Sequence, residues 1–164
     1  MSTGFYEASV AGTTEWYTPP WIFERLKLHF DLDVCAPPGG VPWVPADAFY
    51  DKTADGLVQP WHGRVWMNPP YGPGIDRWLA KFVGHKNGIA LLPSRTDTNW
   101  FHRYTGRADL LCFLRGRIKF VDIAGKANPH GPRVGSLFLA CGADSVTALY
   151  NFADIGCCIP GLTL

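Results

Sequence analysis

The chain has almost no net charge, no long apolar run and no paired cysteine motif, and each of these gaps closes off a class of protein. With 15 Lys/Arg against 14 Asp/Glu the formal net charge is +1, so overall charge argues for neither a nucleic-acid nor a membrane partner. No apolar stretch approaches the roughly 18 residues that a membrane-spanning helix needs. The five cysteines (Cys35, Cys112, Cys141, Cys157, Cys158) are an odd number without a CxxC spacing. They read as reduced thiols and supply no zinc ligand set, so no metal site is expected. The first ten residues lack the basic start and apolar run of a signal peptide, which makes a cytoplasm the expected compartment. No internal repeat or low-complexity segment stands out.

What is present is the composition of a folded core: 47% hydrophobic and only 18% charged residues, which excludes a disordered chain. A length of 164 residues fits one domain spanning 1–164. Residues 1–14, small and polar without a clear period, read as a loose lead-in. The charge is unevenly spread. Residues 1–84 hold six basic and nine acidic side chains, whereas residues 85–135 hold nine basic and three acidic ones. A basic middle in a near-neutral chain suits a face for a polyanion, although scattered solvated arginines would give the same count.

The most telling stretch is Trp66-Met67-Asn68-Pro69-Pro70-Tyr71-Gly72. The apolar run Val65 to Met67 reads as a buried strand end. Two prolines then force the chain out of the sheet at Asn68, because proline cannot continue a ladder. An amide, two proline carbonyls and an aromatic ring thus sit at a strand's carboxyl end, where open α/β sheets bind ligands. The amide oxygen and a backbone carbonyl can together hold both hydrogens of a planar NH2 group. Drawing them out of plane frees the nitrogen lone pair and makes a nucleophile without a strong base. The Tyr71 ring offers a face on which a flat heterocycle can stack.

Elsewhere, Trp21, Ile22, Leu26 and Phe30 recur at helical spacing, so 20–29 is predicted as an amphipathic helix entered through Pro19 and Pro20. Thr18 can serve as its N-cap, or the helix start can receive a carboxylate. Residues 32–36 read as the end of the first strand. There Asp33 stands beside the small Cys35 and Ala36 and ahead of a Pro37-Pro38-Gly39-Gly40 loop that lets a ligand approach the backbone. From Val41 to Trp61 few helical signals occur, and this region is expected to be loop. Ile75, Trp78, Leu79 and Phe82 mark a helix over 75–83. Residues 88–92 read as a buried strand ended by Pro93, and Asp97 or Thr98 can cap a helix running to about Tyr104. The runs 109–114 and 134–140 are predicted as the last two strands, antiparallel to each other. Between them Arg115, Arg117 and Lys119 alternate with apolar residues, which can place the basic side chains on one face. His130 is a lone histidine in a loop, better read as structural than as catalytic.

Two segments carry a resemblance. Asn68-Pro69-Pro70-Tyr71 is similar to the catalytic signature of S-adenosylmethionine-dependent methyltransferases acting on an exocyclic or amide nitrogen. Leu91-Leu92-Pro93-Ser94-Arg95-Thr96-Asp97-Thr98-Asn99-Trp100-Phe101-His102 is similar to the second most specific stretch of one branch of them. From Glu15 to Gly142 the chain resembles the compact DNA N6-adenine methyltransferases of phages and prophages. The resemblance implies an α/β Rossmann-like methyltransferase fold with a mostly parallel sheet, an antiparallel last strand and shortened helices. It implies S-adenosylmethionine as cofactor, DNA as partner with the target base flipped out of the duplex, and a bacterial host's cytoplasm as location. Asn68, Pro69, Pro70 and Tyr71 become the catalytic group. Thr18 and Pro19 become contacts of the methionine part, and Asp33, Cys35 and Ala36 the first cofactor motif, with Cys35-Ala36-Pro37 where the usual pattern has glycines. Asp47 and Asp51 are candidate acids for the ribose, and Asp55 of Asp55-Gly56-Leu57 for the adenine side of the cofactor. Arg95 and Asp97 are expected near the flipped base or its phosphate, or else paired to fix their loop, and Arg115, Arg117 and Lys119 along the DNA cleft. Three alternatives stay open: another amine such as cytosine N4 or an RNA base, an inactive nucleic-acid-binding module, and a sulfur- or metal-dependent enzyme for which no ligand set is found. The length leaves no room for a separate target-recognition domain, so specificity is expected from loops or to be low. Oligomeric state is left open.

Overall fold

The computed structural model describes residues 16–161; the lead-in and Glu15 lie outside the described residues. One seven-stranded sheet organises them, in the order β2-β1-β3-β4-β6-β5-β7. Its strands are β1 (Phe30–Asp33), β2 (Ala46–Phe49), β3 (Val65–Met67), β4 (Gly88–Pro93), β5 (Leu110–Leu114), β6 (Ser136–Cys141) and β7 (Gly156–Pro160). The first four pair in parallel. β6 then inserts antiparallel between β4 and β5, and β7 closes the edge antiparallel to β5. The expected mixed sheet, parallel first and antiparallel at its end, is therefore present.

Burial on both faces of the central strands makes their sequences nearly continuous apolar runs. Successive side chains point to opposite faces, so Trp66, Ile89 and Leu91 join one core cluster with Ile22, Phe23 and Phe138. Val65, Met67, Ala90 and Leu92 join the other, with Leu79 and Phe82. Helices α1 (Pro20–Leu26) and α4 (Ala143–Leu149) supply the first face, and α2 (Ile75–His85) and α3 (Asn99–Tyr104) the second. Trp66 anchors β3. It is 2% exposed, and its ring meets Phe23 edge-on at 4.8 Å between centroids. Truncating so buried an aromatic costs about 3–5 kcal/mol.

Several local expectations need correction. Helix α1 stops at Leu26, three residues early, because Lys27 takes a left-handed conformation (φ 49°) and its N–H closes on Phe23 O. The cap of that helix is Pro19, with no side-chain capping bond, so Thr18 is not the N-cap. The 41–61 stretch is not all loop: β2 forms there, although no helix does. The runs 109–114 and 134–140 do pair antiparallel, but they are not the last elements, since α4 and β7 follow them. All five cysteines are free thiols.

Candidate active site

The chain passes from β1 outward to β2 and returns to place β3 on the other side of β1. Such a reversal opens a crevice at the carboxyl ends of the two strands that diverge. Asp33 ends β1, and Asn68 follows the last residue of β3. A cleft of about 30 Å³ lies between them, lined by Thr18, Asp33, Cys35, Trp66 and Asn68 among others. A larger concavity of about 460 Å³, lined by Phe23, Lys27, His29 and Trp43, shares no residue with it. The chemistry-bearing side chains lie at the smaller one.

Asn68 leaves β3 half-buried, and its Nδ2 donates to Thr18 Oγ1 at 3.3 Å. Thr18 is itself 3% exposed. It is held on its main chain by Trp43, whose Nε1 donates to Thr18 O at 2.8 Å. An amide whose nitrogen is engaged on one side presents its oxygen on the other. Pro69 is buried, Pro70 is exposed, and Tyr71 is 39% exposed. The Tyr71 hydroxyl reaches back to Leu91 O on β4 at 3.5 Å. Gly74, at φ 94°, then turns the chain into α2.

Asp33 is 5% exposed. Burial pushes its carboxyl up from 3.8 to about 7, against a single backbone N–H from Cys35 at 3.1 Å that lowers it. Among the described residues no ion pair neutralises it. Desolvation and then the charge of Asp33 raise the Cys35 thiol well above its ordinary value, so Cys35 is no thiolate nucleophile. Ala36 is buried beside it, with its N–H on Tyr50 O.

The three acids of the 41–61 region part company. Asp47 lies in the first half of β2, exposed, with His29 Nε2 at 2.7 Å; the structure does not bring it to the crevice. Asp51 stands past the carboxyl end of β2, where its Oδ1 accepts the N–H groups of Thr53 and Ala54. Asp55, in a left-handed turn at φ 55°, accepts the N–H of Leu57. The next residue, Gly56, packs against the chain leaving β1 so closely that a Cβ there would stand 2.1 Å from Val34 O.

Arg95 and Asp97 leave β4 at the same carboxyl edge, both exposed, with no ion pair between them among the described residues. Arg115, Arg117 and Lys119 are exposed while Ile118 and Phe120 are buried. The expected alternation therefore holds over 117–120, whereas Gly116 is exposed in a bend at φ 81°, and the segment forms no strand. Arg117 Nη1 donates to Pro132 O and Arg115 Nη2 to Asp154 O. One link had no sequence signal. Val121, at the end of this segment, exchanges both main-chain hydrogen bonds with Tyr17, at 2.7 and 2.9 Å. That bridge ties the basic segment to the residue next to Thr18, more than 100 positions earlier.

Sheet order and crevice together define a Rossmann-like α/β protein with its candidate site at the carboxyl ends of β1, β3 and β4. A family model for DNA N-6-adenine-methyltransferase (Dam) matches residues 8–141. The chain belongs to that family, which implies adenine-N6 methylation of DNA. No curated protein and no solved structure matches it. Among the described residues there is no group of three or more potential metal ligands, and no helix is long and apolar enough to cross a membrane.

Proposed function

We propose that this chain, acting as a single domain, transfers a methyl group from S-adenosylmethionine to N6 of an adenine flipped out of DNA. The observation that carries the reading is the Asn68–Thr18 hydrogen bond, which turns the amide oxygen away from Thr18 as an acceptor for the adenine amine. The residues around the crevice fit the cofactor. The methionine end of S-adenosylmethionine carries an ammonium and a sulfonium beside its carboxylate. Asp33 is a buried carboxyl without a cationic partner among the described residues, and a cation placed there offsets the burial that raises its pKa. Thr18 and Pro19, the Cys35–Ala36 backbone and the Asp55 turn frame the same edge. Asp51, past the end of β2, is better placed for the ribose than Asp47. The cleft of about 30 Å³ has the scale of one small group, so a nucleoside-sized ligand must extend beyond it.

The bound cofactor supplies an electrophilic methyl. Asn68 Oδ1 and the Pro69 carbonyl accept the two hydrogens of the N6 amine, which favours the nitrogen as it becomes tetrahedral and positively charged. Tyr71 stacks on the adenine ring. Arg95 and Asp97 stand at the neighbouring strand exit, and Arg117 and Lys119 hold phosphates along the edge bridged to Tyr17. The test is Asn68→Ala. It should abolish methyl transfer, by a factor on the order of 10²–10³, while cofactor and DNA affinities stay near wild type. Near-normal turnover in that variant would overturn the reading.

A further inference from the structure

The connection from β2 to β3 contains no helix of its own, yet it must hold a defined shape where it passes the end of β1. A single ammonium group supplies the hold. Lys81 Nζ, on α2, donates to the carbonyls of Gly56, Leu57 and Gln59 at 2.9, 2.9 and 2.5 Å. Three carbonyls use all three of its hydrogens. The same Nζ lies 4.8 Å from the centre of the Trp61 ring, and Trp61 stacks on Trp78, one turn before Lys81 on α2. Trp61 Nε1 donates to Gly56 O, which also receives Lys81. Gly56 in turn presses on Val34 O and Trp78. The loop is thus clamped between α2, the helix that follows the Asn-Pro-Pro-Tyr turn, and the exit of β1 beside Asp33.

We propose that Lys81 is a positioning residue for the cofactor: by capping the carbonyls of residues 56–59 it fixes the Asp55–Gly56–Leu57 turn against the β1 exit and sets that turn in register with the catalytic loop. This rests on the S-adenosylmethionine reading above. The cradle is partly desolvated, and burial lowers the pKa of Lys81 below 10.5 while the Asp55 charge opposes the shift. Asp55 is therefore both the turn's candidate ligand and a counter-charge to its clamp. Lys81 itself touches no substrate. Its influence is on cofactor affinity, not on the chemical step or on DNA.

The test compares Lys81→Met with wild type by calorimetric titration of S-adenosylmethionine, DNA binding, and amide hydrogen exchange. Lys81→Met keeps the stem and removes the donors. Faster exchange over 55–61, at least a tenfold weaker cofactor affinity and unchanged DNA affinity are expected. Should that variant fail to fold, Lys81→Arg retains the charge but replaces a three-way donor with a planar fork, and it should weaken cofactor binding in the same direction. Unchanged cofactor affinity with a loosened loop would overturn the proposal and leave the methyltransferase reading standing. Equal losses of cofactor and DNA affinity would reduce Lys81 to a general structural role and overturn it as well. No cofactor binding by wild type would overturn both.

Discussion

Replacing Thr18 with Val tests how the catalytic amide is aimed. Valine has nearly the shape of threonine, so the site, 3% exposed, gains no cavity; it loses only the oxygen that Asn68 Nδ2 addresses at 3.3 Å. A neutral hydrogen bond of this kind is worth about 0.5–1.5 kcal/mol net, which is a factor of roughly 2–12 in the population of the productive amide orientation at 1.4 kcal/mol per decade. Single-turnover methyl transfer at saturating cofactor should fall by about that factor, well short of the 10²–10³ expected for Asn68→Ala. Thr18→Ser should restore most of it. In a double-mutant cycle at saturating cofactor, Thr18→Val should cost the transfer step nothing further once Asn68 is Ala, because its effect on that step runs through the amide. Wild-type rates in Thr18→Val, or an undiminished penalty in the Asn68→Ala background, would show that Thr18 does not aim the amide.

Three further outcomes follow from the geometry. DNA affinity should fall steeply with salt, and Arg117→Ala and Lys119→Ala should each flatten the log–log slope by about one unit; a salt-independent affinity would make the basic segment mere surface. Asp33 has a folded pKa of about 7 against 3.8 for the ordinary carboxyl. The folded state therefore holds the proton more tightly, and stability should decline as pH rises from about 4 to 7, by an amount on the order of 4 kcal/mol at most. Urea melts of the cofactor-free protein should show this decline and Asp33→Asn should flatten it; a pH-independent wild type would contradict it. Gly56→Ala would set a Cβ 2.1 Å from Val34 O and 3.2 Å from Trp78 Cη2, so denaturation should show a loss of about 1–3 kcal/mol, whereas an unchanged midpoint would mean the turn is not packed against β1.

Much of the catalytic edge was legible because its signals are local and strong. Prolines after a buried apolar run end a strand wherever they occur, so Asn68 and the Pro93 exit could be placed without coordinates. The alternation over 117–120 likewise needs only period two, and Gly116, exposed at φ 81°, interrupts it before that. The remaining elements carry weak or absent local signals. β2, Ala-Asp-Ala-Phe, is a largely exposed edge strand, so no apolar run marked it. β7 carries only scattered partial burial for the same reason. The apolar period of α1 passes without a break into Phe30, the first residue of β1, so nothing local marks the stop that the left-handed Lys27 makes. Thr18 before two prolines invited a capping role, yet its oxygen serves a residue 50 positions away. The Lys81 cradle and the Tyr17–Val121 bridge are long-range pairings that nothing in either partner's neighbourhood announces.

The most direct measurement is transfer of a labelled methyl group from S-adenosylmethionine to DNA, followed by digestion to nucleosides and their separation. Label should appear in N6-methyladenine with the wild-type chain and essentially not at all with Asn68→Ala. Label in N4-methylcytosine, label only in RNA, or no transfer by a wild-type chain that binds DNA would contradict the proposed transfer to adenine N6.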